Sequence, residues 1–316
     1  RNTLPRSGLF LMSAKKITVV GAGHVGATCS QLLSQKELAK EVVLVDIADG
    51  IPQGKGLDQW ESAPIEGFDS RVFGASDYQS SVDSDIFIVT AGIARKPGMS
   101  RDDLLKTNAN VIRSVSREIA RVAPDSIIIM VTNPLDVMAQ VSMEASGFPR
   151  ERVIGMAGVL DTARYRSFIA LELDVSIEDI QALVLGGHGD TMVPLASYTS
   201  VSGIPLSQLL EQDRIDALVE RTRKGGGEIV SYLKTGSAYY APAAAAVQMA
   251  EAIVKDKRRI LPCAAWLQGE YGFNDLYLGV PCMLGANGLE RIVEVELEES
   301  ERSALETSAE HVKSTV

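Results

Sequence analysis

The sequence predicts an α/β protein in which a doubly wound parallel sheet is followed by a mixed α+β region. Three observations carry this expectation. Four short apolar runs, at 16–20, 41–45, 85–90 and 126–132, are nearly unbroken, as strands buried on both faces of a parallel sheet are. Segments with helical spacing of apolar residues, 27–38 and 103–122, lie between them, and that alternation is the mark of βαβ units. Beyond Gly158 the alternation stops. Helical stretches at 160–173, 214–233 and 241–254 then mix with β-like runs at 180–185, 193–201, 277–280 and 291–295. The expected organisation is a tail over 1–14, a first domain over 15–155 and a second over 156–316. The tail, with Met12 just ahead of the first strand, reads as an added or frayed segment, with a transit-peptide remnant the less favoured reading.

The first strand runs into Gly21-Ala22-Gly23-His24-Val25-Gly26, and the second ends on Asp46, 20 positions beyond Gly26. A glycine motif of this spacing is weak alone. Between a strand and a helix, with an acid at this distance, it is a strong dinucleotide-binding pattern of the Rossmann type. Gly21 permits the tight turn, Gly23 lets backbone approach a pyrophosphate, and Gly26 lets helix and strand pack closely. The helix N-terminus then offers free N–H groups to the phosphates. Asp46 can accept bonds from a ribose diol and would repel a 2′-phosphate, which favours NAD over NADP. His24 reads as a surface residue of the turn. The strands ending at Thr90 and Thr132 send their loops to the ligand side of such a sheet.

Composition narrows the class. The 316 residues carry a formal charge of −10 and 46 % apolar residues, so nucleic acid is an unfavourable partner. No apolar run is long enough to cross a bilayer. Cys29, Cys263 and Cys282 are widely spaced, which argues for neither a disulfide framework nor a zinc site. A reducing cytoplasm is the expected setting.

Chemistry concentrates in Gly186-Gly187-His188-Gly189-Asp190, which follows an apolar run. An imidazole on a bare glycine loop suits proton transfer near neutral pH; a turn whose histidine merely caps or packs is the alternative. Asp161 and Arg164 share a helical face, and by themselves read as a surface ion pair. Arg95 and Arg101 lie in a loop containing Pro97-Gly98, either a hinge on the ligand side or a solvated basic loop.

Together these stretches resemble the malate dehydrogenases of the branch similar to lactate dehydrogenases. The resemblance rests on the glycine motif with Asp46, on Arg95-Lys96-Pro97-Gly98-Met99-Ser100-Arg101, on Val131-Thr132-Asn133-Pro134, on Leu160-Asp161-Thr162-Ala163-Arg164 and on the His188 loop. They keep the family's order and spacing over about residues 15–313, with 24 positions from Arg164 to His188. The resemblance implies NAD-dependent interconversion of (S)-malate and oxaloacetate, a tricarboxylic acid cycle reaction. It implies that His188 is the acid/base and Asp161 its partner, that Arg164 grips the C1 carboxylate, and that Arg101 polarises the C2 carbonyl. Asn133 would bond substrate, Arg95 would pair with the second carboxylate of a dicarboxylate, and Val131, Thr132, Asn133 and Asn108 would join residues 21–26 and Asp46 at the cofactor. A homo-oligomer, a tetramer over a dimer, is implied as well, with helices 160–173 and 214–233 as candidate subunit contacts. The C-terminal helix looks short for the family. A lactate dehydrogenase and a non-catalytic NAD(H) sensor are the competing readings; Arg95 speaks against the first and the set His188, Asp161, Arg101, Arg164 against the second.

Overall fold

The computed structural model describes residues 14–93 and 101–315, with nothing described for the side chains of Arg101 and Asp102. The chain enters as β1 (Ala14–Val20), turns through the glycine motif into α1 (His24–Gln35), and continues through β2 (Ala39–Val45), α2 (Ile51–Glu66), β3 (Arg71–Ala75), β4 (Ile86–Val89), α3 (Arg101–Val122), β5 (Ile127–Met130), α4 (Leu135–Ser146) and β6 (Val153–Gly155). The six strands are parallel and lie in the order β3-β2-β1-β4-β5-β6, the order of the dinucleotide-binding fold. Their apolar runs are buried on both faces: Ile17, Val19, Val42, Leu44, Phe87, Ile88, Ile128 and Ile129 are inaccessible. The sheet reverses direction of winding between β1 and β4, so the loops leaving those strands share the ligand crevice.

Helix α2 escapes a pattern reading. It holds Gly54, Gly56 and an internal Pro64, all poor helix formers. Gly56 lies so close to the backbone of Phe73 and Gly74 that a side chain would collide there, which is how α2 comes to rest on β3.

The second half runs through α5 (Ala157–Leu173), β7 (Ile180–Gln181), β8 (Val184–Leu185), β9 (Val193–Pro194), β10 (Ser200–Val201), β11 (Ile204–Pro205), α6 (Gln212–Leu233), α7 (Tyr240–Val254), β12 (Arg259–Gln268), β13 (Asn274–Gly285), β14 (Gly288–Ile292) and α8 (Glu299–Thr315). Three expectations are corrected here. The run 180–185 is two strands in different sheets, because the chain changes partners between them: β7 pairs with β10 and β8 with β9. The run 193–201 is likewise broken, by a single helical turn at Ala196–Tyr198. The runs 277–280 and 291–295 are parts of β13 and β14, and these extend the first sheet rather than building a separate one, giving nine strands ordered β14-β13-β12-β6-β5-β4-β1-β2-β3.

The seam between the two halves of this sheet is narrow. β12 meets β6 only through Ala264 opposite Gly155, and the buried Tyr277 hydroxyl donates to the Val153 carbonyl at 3.1 Å. Tyr277→Phe leaves that carbonyl without its partner. It is expected to cost about 1–2 kcal/mol, one net hydrogen bond with a buried acceptor exposed to no water, read as a lower urea midpoint at unchanged slope.

Helices α5 and α6 close a second apolar cluster: Tyr165 and Ile169 pack with Ile215 and Leu218. The facing sides of these two helices are therefore satisfied within the chain, and only their outer faces are left for a subunit contact. Exposed apolar residues include Ile51, Leu57, Trp60 and Ile65 of α2, and also Leu171 of α5 and Val230, Tyr232 and Leu233 of α6. Among the described residues no helix is long and apolar enough to cross a membrane.

Candidate active site

At the cofactor end, the turn after β1 is built from three different glycine requirements. Gly21 adopts φ +106°, a left-handed region that favours glycine. A side chain on Gly26 would strike the Gly21 carbonyl oxygen and Thr90. Gly23 is different: its φ is −68°, and a Cβ there would meet nothing within 4 Å. Neither backbone nor packing demands glycine at 23, so what it preserves is an open approach to the backbone. Helix α1 starts at that point with no side-chain cap and no acid in its first turn, leaving N–H groups and the positive dipole end to an anion. These residues fit a dinucleotide pyrophosphate. Gly23→Ala is expected to leave thermal stability unchanged and to weaken NADH binding by about tenfold or more, a 1.4 kcal/mol clash or greater, read by fluorescence titration.

Asp46 closes the turn from the end of β2. Its carboxylate accepts the Ala22 amide at 2.6 Å and the Ala48 amide at 2.9 Å. Val25 is half-buried and His24 exposed. The His24 ring stacks on Tyr239 at 4.9 Å, in agreement with a surface position.

Beyond the neighbouring strands, Thr90 Oγ1 donates to the carbonyls of Val20 and Gly21, and Thr132 Oγ1 to that of Ala91. Asn108, 1 % exposed on α3, accepts the Ile93 amide at 2.9 Å and donates to the Asn133 carbonyl at 2.8 Å. Its amide thus ties the loop after β4 to the loop after β5, the two loops on the ligand side of the sheet. Val131 and Thr132 are buried beneath this crevice, while Asn133 is exposed at its surface.

The catalytic end is held by the same loops. His188 Nδ1 lies 2.8 Å from Asp161 Oδ2, with the two side chains 14 % and 2 % exposed. Asp161 Oδ1 accepts from Arg164 Nη1 at 3.4 Å. Asp161 and Arg164 are therefore enclosed, which overturns the surface-pair alternative. The reason is α6: a side chain on Gly225 would press on Arg164 Cδ at 3.1 Å, so its absence leaves the arginine room. Arg164 Nε is buried without a partner among the described residues, a donor left for an anion.

The histidine loop is pinned by backbone. Gly186, at φ +85°, exchanges two bonds with Gly279 of β13. The Gly187 amide donates to Ser308 of α8 at 2.9 Å, and the His188 amide to Asp136 of α4 at 3.0 Å. Burial opposes charge on the imidazole, but Asp161, by charge and hydrogen bond, and Asp136 behind it outweigh burial and raise the His188 pKa above its ordinary value. The imidazole thus holds a proton more readily than an ordinary histidine does. Asp136, Ser308 and the Gly225-Gly226 pair are functional neighbours that pattern reading passes over; glycines inside the otherwise helical run 214–233 were the available signal. Arg95 lies outside the described residues. Arg101 opens α3, its side chain undescribed.

A glycine turn open to a pyrophosphate, an acid after β2 and an enclosed imidazole–carboxylate pair beside the same loops define the class: a dinucleotide-dependent dehydrogenase. Comparison with known proteins agrees. Residues 15–155 match the family profile described as lactate/malate dehydrogenase, NAD binding domain, and residues 158–316 match lactate/malate dehydrogenase, alpha/beta C-terminal domain. The malate dehydrogenase of Chloroherpeton thalassium is 60 % identical over 298 residues, 94 % of this chain and 96 % of that protein. The solved malate dehydrogenase of Salinibacter ruber superposes with TM-score 0.91 at 57 % identity, covering 95 % of this chain and 96 % of that one. The Cryptosporidium parvum lactate dehydrogenase, solved with lactic acid and nicotinamide adenine dinucleotide, superposes with TM-score 0.92 at 44 % identity, covering 96 % and 98 %. The chain belongs to the lactate/malate dehydrogenase family, and its cofactor is NAD.

Proposed function

We propose that the protein is an NAD-dependent malate dehydrogenase, interconverting (S)-malate and oxaloacetate, with 15–155 holding cofactor and 156–316 most of the substrate site. The observation that carries the catalytic part is the enclosed His188–Asp161 pair at 2.8 Å beside the partner-free Nε of Arg164. Residues 21–26, Asp46 and Val131 to Asn133 would hold the cofactor. Bound NAD supplies the acceptor for the hydrogen on malate C2. In that direction His188 takes the hydroxyl proton through Nε2, because Nδ1 is engaged by Asp161, which fixes the tautomer and stabilises the imidazolium that results. In the reverse direction the imidazolium returns the proton. Arg164 receives the C1 carboxylate, for which a planar guanidinium offers two parallel bonds. Asn133 bonds substrate from the opposite loop, Arg101 stabilises charge developing on the C2 oxygen, and Arg95 takes the second carboxylate.

The malate assignment also draws on the relatives named malate dehydrogenase at 56–62 % identity. The test is loss of NADH absorbance on adding oxaloacetate, with pyruvate in a parallel cuvette. Faster turnover of pyruvate would replace this reading with a lactate dehydrogenase, and no turnover of either would remove the enzymatic reading.

A homo-oligomer, tetramer over dimer, fits the exposed apolar residues of α2 and an open groove lined by Val159, Ala163, Ala241 and Ala245. Light scattering on the purified protein decides the number of subunits. A cytoplasmic location is the reading that suits three free, buried cysteines.

A further inference from the structure

One buried ionisable side chain beside the histidine loop has no part in the mechanism above. Asp136 sits in the first turn of α4, 7 % exposed. Its Oδ2 accepts the His188 amide at 3.0 Å, and its Oδ1 is buried without a partner among the described residues. It borders a cavity of about 90 Å³ shared with His188, Thr191, His311 and Thr315.

We propose that Asp136 is a second positioning carboxylate for the proposed reaction: it clamps the backbone of the histidine loop and, as an anion behind the imidazole, favours the protonated form of His188. The inference rests on the dehydrogenase reading above. Clamping alone needs no charge, since an asparagine oxygen accepts an amide equally well. The charge in fact works against the fold. Burial pushes the Asp136 carboxyl up to about 6, opposed by the His188 amide and the His188 charge, with Asp161 adding to the rise. A carboxyl raised on folding favours the native state fully only below the ordinary carboxylate range, and that contribution is lost as pH rises through about 6. Near neutrality the fold therefore carries an ionised group it would be more stable without. Departures of this kind gather at functional sites, and here the anion has a partner to act on.

Among the described residues, few titratable groups face His188. Asp161 and Arg164 come from α5, Asp136 from α4, and His311 lines the shared cavity from α8. Arg164 opposes the imidazolium, whereas both carboxylates favour it. Removing the Asp136 charge must then lower the His188 pKa.

The experiment uses the full-length enzyme and Asp136→Asn. The profile of kcat/KM against pH is measured for oxaloacetate with saturating NADH and for malate with saturating NAD. Oxaloacetate reduction requires the imidazolium and malate oxidation the neutral ring, so both midpoints should move to lower pH, by roughly 0.5–1 unit for loss of one nearby charge. The His188 pKa followed by NMR in the protein without substrate should fall by a similar amount, a readout independent of turnover. Asp136→Ser, which keeps a short acceptor without charge, gives the same reading if the asparagine variant does not fold. A lower kcat with unmoved midpoints and an unmoved His188 pKa would reduce Asp136 to a structural clamp and overturn the proposal. Wild-type protein inactive on malate and oxaloacetate would remove the substrate assignment instead, leaving the NMR result to decide this one.

Discussion

Replacement of His188 by Asn is expected to lower kcat/KM for oxaloacetate by about 10²–10⁴-fold, the contribution of a positioned proton-transfer group, while NADH affinity stays within about twofold. The amide is close to the imidazole in size and can still bond Asp161, so the enclosed carboxylate is not stranded. What it cannot do is give up and recover a proton near neutral pH. The cofactor turn lies on β1 and α1 and receives no bond from the His188 side chain, which is why binding and turnover should separate. Asp161→Asn should fall between the variant and the native enzyme. It leaves an acceptor beside Nδ1 but removes the charge that raises the His188 pKa, so its oxaloacetate activity should fail at lower pH than the native enzyme's. Stopped-flow turnover with NADH fluorescence titration measures both quantities. A His188→Asn enzyme retaining more than one-tenth of native kcat/KM would end the acid/base assignment.

The cofactor half was legible in the sequence because its signals are local. A parallel strand buried on both faces must be apolar throughout, and the glycine positions serve contacts between residues a few places apart, such as Gly26 against Gly21. The catalytic half was legible only in its parts. Asp161 and Arg164 look like any exposed pair until α6 is laid over them, and the close approach there involves Gly225, some 60 residues on. Asp136 was hidden by a sufficient local reason, since an acid in the first turn of a helix needs no other explanation. What pattern reading could not show for Asn108 is that its amide joins two loops, through bonds to Ile93 and Asn133. Strand partnership was the least visible feature. Nothing in 180–185 marks where the chain leaves one sheet for another, and nothing in 277–280 marks membership of the first sheet, because pairing is decided by distant residues.

On the proposed reading, substrate choice turns on one side chain. The Salinibacter ruber malate dehydrogenase and the Cryptosporidium parvum lactate dehydrogenase superpose on this chain equally well, at TM-scores of 0.91 and 0.92, so the scaffold does not discriminate between the one-carbon and two-carbon groups that pyruvate and oxaloacetate carry beyond C2. Oxaloacetate presents a carboxylate where pyruvate presents a methyl group. In the proposed site Arg95 would supply the matching cation, and a charged hydrogen bond there would contribute about 1.5–3 kcal/mol. Closing the site over pyruvate would leave that cation without a partner, a further cost. Sites built around a polar group reject analogues that leave it unpaired, so Arg95→Gln is expected to change the ratio of kcat/KM for oxaloacetate over pyruvate by on the order of 10³-fold in favour of pyruvate. Arg164→Gln provides the contrast. Arg164 faces the carboxylate that both acids possess, so its loss should weaken both and leave their ratio within about threefold, a shift small on the scale of a tenfold per 1.4 kcal/mol. An unchanged ratio in Arg95→Gln, or a ratio that moves with Arg164 instead, would place discrimination elsewhere in the site.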